Sequence, residues 1–220
     1  MSIAMPYRAS TIEQGAVPKL TGAEKMNIFR LTFLVLLMGL GGSSVAQSSS
    51  APSSPSQLWE WLRGGDAVAL MRHALAPGTG DPANFTLGDC ATQRNLSDKG
   101  RQQARAIGER FRRNRIQQAR VYSSRWCRCL DTARLLGLGE AQPFDGLNSF
   151  FRDRSAEPKH SAATRRLINE QRVRGKPPLV LVTHQVNITA LTGVFPSSGE
   201  IIVVRPTESG LSVLGRIEND

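Results

Sequence analysis

Apolar positions along the chain change their period several times, and each change marks an element. Residues 67–71 form a short unbroken apolar run, long enough for a buried strand and too short for a helix. Residues 98–114 repeat at helical spacing instead, with Ala104, Ile107, Gly108 and Phe111 on one face and Ser97 where an N-cap belongs. A second strand is predicted over 119–123, a helix over 126–136 stopped by Gly137-Leu-Gly139, and a further helix over 162–174. Pro177 and Pro178 close the turn into an apolar strand over 179–183. Strands and helices thus alternate until 200–205 and 211–216, two β-rich runs separated by Pro206, Glu208 and Gly210, which predict a terminal hairpin. The architecture expected from this order is α/β: a three-layer α/β/α sandwich with a mostly parallel central sheet and a C-terminal β-hairpin.

Upstream of these elements the pattern is of another kind. From Met26 the chain has a short basic start, a nearly continuous apolar stretch over 31–40, and Ser44-Val45-Ala46 as a small-x-small cleavage site. This is the layout of a secretory signal peptide, so residues 1–46 are read as leader, with the start at Met26 and cleavage after Ala46. The apolar stretch is about half of the roughly 20 residues that a spanning helix needs, so no permanent membrane anchor is expected. The expected compartment is the periplasm. Residues 47–56, rich in Ser and Pro, read as a disordered linker, and 57–62, with Trp59 and Trp61, as a short helix packed on a single domain over 57–220.

Charge narrows the partners. The chain has 28 Lys and Arg against 18 Asp and Glu; the leader holds four and two of them, leaving a net charge of +8 after cleavage. Arg101, Arg105, Arg112, Arg113 and Arg115 crowd one helix, a solvated basic face that also draws anionic partners. Nucleic acid is not an expected partner, because export separates the chain from it and no recognition-helix or aromatic-basic pattern occurs. Three cysteines in an exported chain leave one unpaired. Cys90 has Cys127 or Cys129 to bond to, with Cys127 preferred, and either bridge ties the loop after the first strand to the following helix. A metal site is not expected, since Cys127-x-Cys129 with one distant Cys lacks a fourth ligand. No cofactor is implied.

Two of the three histidines sit at equivalent places, His73 directly behind the first apolar strand and His184 directly behind the strand over 179–183. The carboxyl edge of a parallel sheet is where ligands bind. Arg72 precedes His73, and Arg128 opens the helix after the second strand, so two guanidinium forks and two imidazoles converge on one edge. Such forks match phosphate oxygens, and a neutral imidazole beside them is a nucleophile for phosphorus.

The residues Leu70-Met-Arg-His73, then Asn95-Leu-Ser-Asp-Lys-Gly100 opening a helix, then Tyr122-Ser-Ser with Arg128 and Asp131-Thr-Ala133, then Val182-Thr-His184, resemble the histidine phosphatase superfamily, also called phosphoglycerate mutase-like. The resemblance implies that His73 attacks phosphorus and becomes phosphohistidine, that Arg72 and Arg128 hold the phosphoryl group, and that His184 donates to it. Thr79 and Asn187 are further candidates for substrate binding, each with a bland alternative: a turn residue in Pro77-Gly-Thr-Gly80, and a helix cap. His160 is expected to be exposed.

Three departures from the family pattern stand out. Ala74 replaces the glycine after the first histidine, Ser149 stands where many members carry a glutamate acid, and Gln185 stands where another branch carries an aspartate acid. Both customary sources of the leaving-group proton are thus missing. Asp153, or Glu157, is the expected substitute, ahead of a substrate that needs no acid and of a domain that binds phosphate without turnover. The expected function is a phosphomonoester hydrolase working through phosphohistidine on a small or envelope-linked substrate, lipopolysaccharide included. The alternative is a phosphate-binding or sensing domain. A mutase is less expected because the chain lacks the length for insertions that enclose a bisphosphate.

Overall fold

The computed structural model describes residues 53–170 and 177–219, and the leader predicted over 1–46 lies outside them. Six strands, β1 (Val68–Arg72), β2 (Arg120–Ser123), β3 (Ala141–Pro143), β4 (Leu179–Thr183), β5 (Ile201–Thr207) and β6 (Gly210–Ile217), form one sheet in the order β3-β2-β4-β1-β5-β6. The pairs β1–β4, β2–β4 and β2–β3 are parallel, whereas β5 is antiparallel to β1 and forms the C-terminal hairpin with β6.

Period-2 burial explains the layers. Ala69, Met71, Val180, Val182, Ile201 and Val203 face one way, toward helices α1 (Pro55–Gly64), α2 (Asp98–Arg113) and α3 (Cys127–Leu136). Their neighbours Val68, Leu70, Leu179, Leu181, Ile202 and Val204 face the other way, toward α4 (Glu157–Asn169) and α5 (Gln185–Thr192). Strands covered on both faces are apolar on both, which is why β1 and β4 read as unbroken runs up to Arg72 and Thr183 at their ends.

Helix starts and stops follow local chemistry. The Ser97 side chain accepts from the Gly100 N–H at 3.1 Å to cap α2, and Gly137 ends α3 in the left-handed region at φ 63°. Gly100 has a second duty: a Cβ there would come within 2.0 Å of the Leu75 carbonyl oxygen, so only glycine lets α2 lie against the segment that follows β1.

Several boundaries differ from expectation. α1 begins at Pro55, inside the stretch read as disordered linker, because Ser54 caps Gln57 and Pro55 suits the first helical position. α4 begins at Glu157 rather than 162, with Pro158 again in its first turn, and ends at Asn169; residues 171–174 of the predicted helix lie outside the described ones. β3 was not expected, since a three-residue, largely exposed edge strand carries no apolar run. Pro206, read as a hairpin breaker, lies within β5, past Val204 where pairing to β1 stops, so its missing N–H leaves no gap in that ladder. Among the described residues no helix is long and apolar enough to cross a membrane.

Candidate active site

Sheet register brings the two histidines together. Arg72 is the partner of Thr183 in the parallel β1–β4 ladder, and the His73 N–H donates to the Thr183 carbonyl at 2.9 Å. The next residue along each strand is a histidine, and their rings meet edge to face with centroids 5.5 Å apart. Both line a cavity of about 350 Å³, together with Arg72, Arg94, Arg128 and Asp81.

The state of His73 follows from one contact. Its Nδ1 lies 2.8 Å from the Ala74 carbonyl oxygen, and a carbonyl only accepts, so Nδ1 carries the hydrogen. Nε2 of the neutral ring then keeps its lone pair. Burial first, then the charge of Arg128 and those of Arg94 and Arg72, push the pKa down to about 3 against the opposing pull of the Ala74 bond. Ala74 itself is buried and is not among the residues with positive φ, so this turn makes no use of a glycine's freedom. Thr132 Oγ1 accepts from the Ala74 N–H at 3.0 Å and donates to the Arg128 carbonyl at 2.7 Å, tying the turn after His73 to α3.

His184 is buried between two partners. Its Nε2 lies 2.8 Å from Ser124 Oγ, and its Nδ1 lies 3.4 Å from Arg128 Nη2, which can only donate. Nδ1 is therefore the acceptor and Nε2–H the donor to Ser124, whose hydroxyl donates onward to Asn148 Oδ1 at 3.3 Å. Burial, followed by Arg128, holds the imidazole well below its ordinary pKa. For His184 to donate toward the cleft, as the family resemblance implies, Nδ1 must first gain a proton or the tautomer must switch.

The Arg128 guanidinium is gripped at both ends. Nη1 donates to Asp81 Oδ1 at 2.6 Å and Nη2 to Asp81 Oδ2 at 3.2 Å, with side-chain exposures of only 3% and 9% for the pair. Asp81 also accepts from the Trp126 indole at 3.0 Å and from the Arg94 N–H at 3.2 Å. Burial alone would raise this carboxyl, but the hydrogen bond and charge of Arg128, with the Trp126 and Arg94 bonds, outweigh it and hold Asp81 below the usual carboxylate range. Arg72 Nη1 donates to the Pro196 carbonyl at 2.9 Å. The Nε atoms of Arg72 and Arg128 are buried without a partner in the structure.

The loop from residue 77 to 94 is built to hold Asp81 there. Arg94 Nε donates to the Gly80 carbonyl at 2.7 Å and its Nη1 donates to the Ala76 carbonyl. A disulfide joins Cys90 to Cys127, with Cα atoms 5.7 Å apart, and the Cys127 N–H donates to Gln93 Oε1 at 2.9 Å. Cys129 remains a buried free thiol beside His184, and burial pushes it up to about 12. Among the described residues no three His, Cys, Asp or Glu side chains come together in the way a metal ion requires.

Other sequence-based candidates are placed differently. Thr79 is exposed on the cavity rim. Asn187 is no lining residue: it is buried in the first turn of α5, where its Nδ2 donates to the Asn148 carbonyl at 2.9 Å. Asp153 is corrected as the acid, because its carboxylate is spent on the Ser155 N–H and hydroxyl, at 3.0 and 2.5 Å, and it lies exposed and outside the cavity lining. Glu157 is likewise occupied, accepting from Ser161 Oγ at 2.9 Å. Ser149 and Gln185 do line the cavity. His160 is half-buried rather than exposed, with Nδ1 at 3.0 Å from the Asn148 carbonyl.

Sequence reasoning missed Asp81, Arg94, Ser124 and Trp126. Asp81 sits in Gly80-Asp-Pro82, which reads as turn chemistry, and nothing in that spacing reports an aspartate folded back onto Arg128.

The family model of the histidine phosphatase superfamily (branch 1) matches residues 68–150. No curated protein matches the sequence. Among solved structures, mycobacterial hydrolase 1 superposes with a TM-score of 0.50 at 17% identity, covering 67% of this chain and 96% of its own. The protein histidine phosphatase SixA, solved with tungstate, gives 0.48 at 18% identity over 69% of this chain and 96% of its own. A phosphoserine phosphatase from Entamoeba histolytica gives 0.48 at 15% identity over 68% and 95%. At 17% identity the likeness to mycobacterial hydrolase 1 speaks for the fold alone. Residues 68–150, the stretch similar to the histidine phosphatase superfamily, carry Arg72, His73 and Arg128.

Proposed function

We propose that the protein is a phosphomonoester hydrolase that passes the phosphoryl group through His73. The observation that carries this reading is the neutral His73 ring, its Nδ1 held by the Ala74 carbonyl and its Nε2 left nucleophilic, in a cavity lined by four arginines. The buried Nε donors of Arg72 and Arg128 lack an acceptor, and buried donors are ordinarily paired; a phosphoryl oxygen is the partner their chemistry calls for. Charge spread over the equatorial oxygens of an in-line transfer would be met by Arg72, Arg94, Arg128 and, once its Nδ1 carries the hydrogen, His184. Water then completes the reaction in the same pocket.

The substrate we assign is a small or envelope-linked phosphomonoester, lipopolysaccharide included. The signal-peptide pattern and the basic surface support this, and the Cys90–Cys127 bridge fits an oxidising compartment such as the periplasm.

Brief exposure to a radiolabelled phosphoryl donor, followed by denaturing quench, tests the reading. Acid-labile, base-stable label that vanishes in His73→Ala is the expected result. Phosphate binding that needs Arg128, with neither label nor turnover on a panel of sugar phosphates, nucleotides and phosphorylated lipopolysaccharide, would overturn it in favour of a sensing domain.

A further inference from the structure

We infer that Asp81 is the general acid of this site, protonating the leaving oxygen as His73 attacks phosphorus; the inference rests on the phosphatase reading above. Asp81 is the single carboxyl-bearing residue lining the cavity, among the described residues. It reaches the site from the loop after β1, a different part of the chain from the two positions that hold Ser149 and Gln185.

Its geometry couples proton uptake to substrate binding. The Arg128 fork now binds the Asp81 carboxylate through two hydrogen bonds, at 2.6 and 3.2 Å. A phosphoryl dianion taking that fork removes the counter-charge from Asp81 and puts negative charge beside it. Both changes favour the protonated carboxyl, so the acid is charged with its proton when substrate arrives. Trp126 Nε1 and the Arg94 N–H still hold the group in place after Arg128 is taken. The other charged or titratable groups around it are Arg72 and His73 at the end of β1, Arg94 on the loop, His184 before α5, and Arg152, which donates to the Asp81 and Pro82 carbonyls.

The chemistry balances with these groups alone. His73 Nε2 forms a bond to phosphorus as the bond from phosphorus to the leaving oxygen breaks; the electron pair of that bond stays on the oxygen, which takes the Asp81 proton. In the second half a water oxygen bonds to phosphorus, its proton goes to the Asp81 carboxylate, and the N–P electron pair returns to His73. Phosphate departs, Asp81 releases its proton to solvent, and the Arg128–Asp81 pair closes again.

The experiment is Asp81→Asn against a series of aryl phosphates of graded leaving-group pKa, read beside the wild type. For the poorest leaving group, kcat/KM, which reads the first half-reaction alone, should fall by about 100- to 10,000-fold, and for dinitrophenyl phosphate by less than about tenfold, steepening the Brønsted slope. The alkaline limb of the kcat profile should disappear in the variant. An equal loss, or a gain, along the whole series would overturn the inference and leave Asp81 a clamp on Arg128. Should the variant not fold, the wild type alone decides: a shallow slope with an alkaline limb supports the acid, and a steep slope without one overturns it. A wild type that forms no phosphohistidine from dinitrophenyl phosphate fails at the phosphatase reading itself, a different signature from an unselective Asp81→Asn effect.

Discussion

Arg72 and Thr183 are register partners in the β1–β4 ladder, and that single pairing delivers His73 and His184 side by side at the carboxyl edge of the sheet. A slip of one residue would send one imidazole to the opposite face of the sheet. The site's tolerance to change is therefore set by what holds this edge together.

Acid should destabilise the protein through its histidines. His73 is pushed from 6.5 down to about 3 in the folded state, and His184 is also lowered, whereas the unfolded chain takes up both protons near pH 6.5. Because the folded pKa values are depressed, this stability is fully present above about pH 6.5 and is lost as pH falls toward about 3. Melting temperature should drop steadily from pH 7.5 to 4.5, with a shallower slope in His73→Gln. An unchanged slope in the variant would argue against a neutral buried His73.

Removing the disulfide should loosen the acid-bearing loop. Cys90 and Cys127 are 37 residues apart, for which loop-closure entropy gives about 4 kcal/mol. A Cys90→Ser, Cys127→Ser double variant should melt at a markedly lower temperature. It should also lose more activity on poor leaving groups than on good ones, since Asp81 and Arg94 lie in the freed loop. Equal melting temperatures with and without reductant would show that the bridge does not form in the protein.

Gly100→Ala places a methyl group 2.0 Å from the Leu75 carbonyl oxygen, in backbone that cannot yield cheaply. A loss of about 1–3 kcal/mol is expected from chemical denaturation, the range of an overpacked site. Because Leu75 follows the His73 turn, kcat should fall with it. A neutral substitution would mean that α2 can back away from β1.

Ser124→Ala deprives His184 Nε2–H of its acceptor at 2.8 Å. An unpaired buried donor costs about 1–3 kcal/mol, and a misplaced imidazole lowers kcat by up to about a hundredfold. Ser124→Thr, which restores the hydroxyl, should recover part of the rate. Recovery failing in Ser124→Thr while its fold stays intact would point to lost space rather than a lost hydrogen bond.

Much of the fold was legible because its signals are local. The unbroken apolar runs of β1 and β4, the helical spacing of Ala104, Ile107 and Phe111 and the Ser97 cap each depend on neighbours within a few residues. β3 and the early starts of α1 and α4 were not legible, since short exposed elements gain their hydrogen bonds from the sheet or from caps rather than from a hydrophobic period. Asn187 and Asp153 show the same limit at the site: each stood in a plausible place along the chain, and each is committed to a backbone partner there.

By itself, then, the order of residues determined the layered α/β architecture and placed His73, His184, Arg72 and Arg128 at one sheet edge, because strand ends are set by periodicity and turns. Only the tertiary structure decided how those groups are charged and paired. The His73 tautomer depends on where the Ala74 carbonyl turns, and the Arg128–Asp81 pair closes across 47 residues of chain. Contacts of that kind are fixed by burial and by the geometry of elements packed together, and neither leaves a period in the sequence for a reader to find.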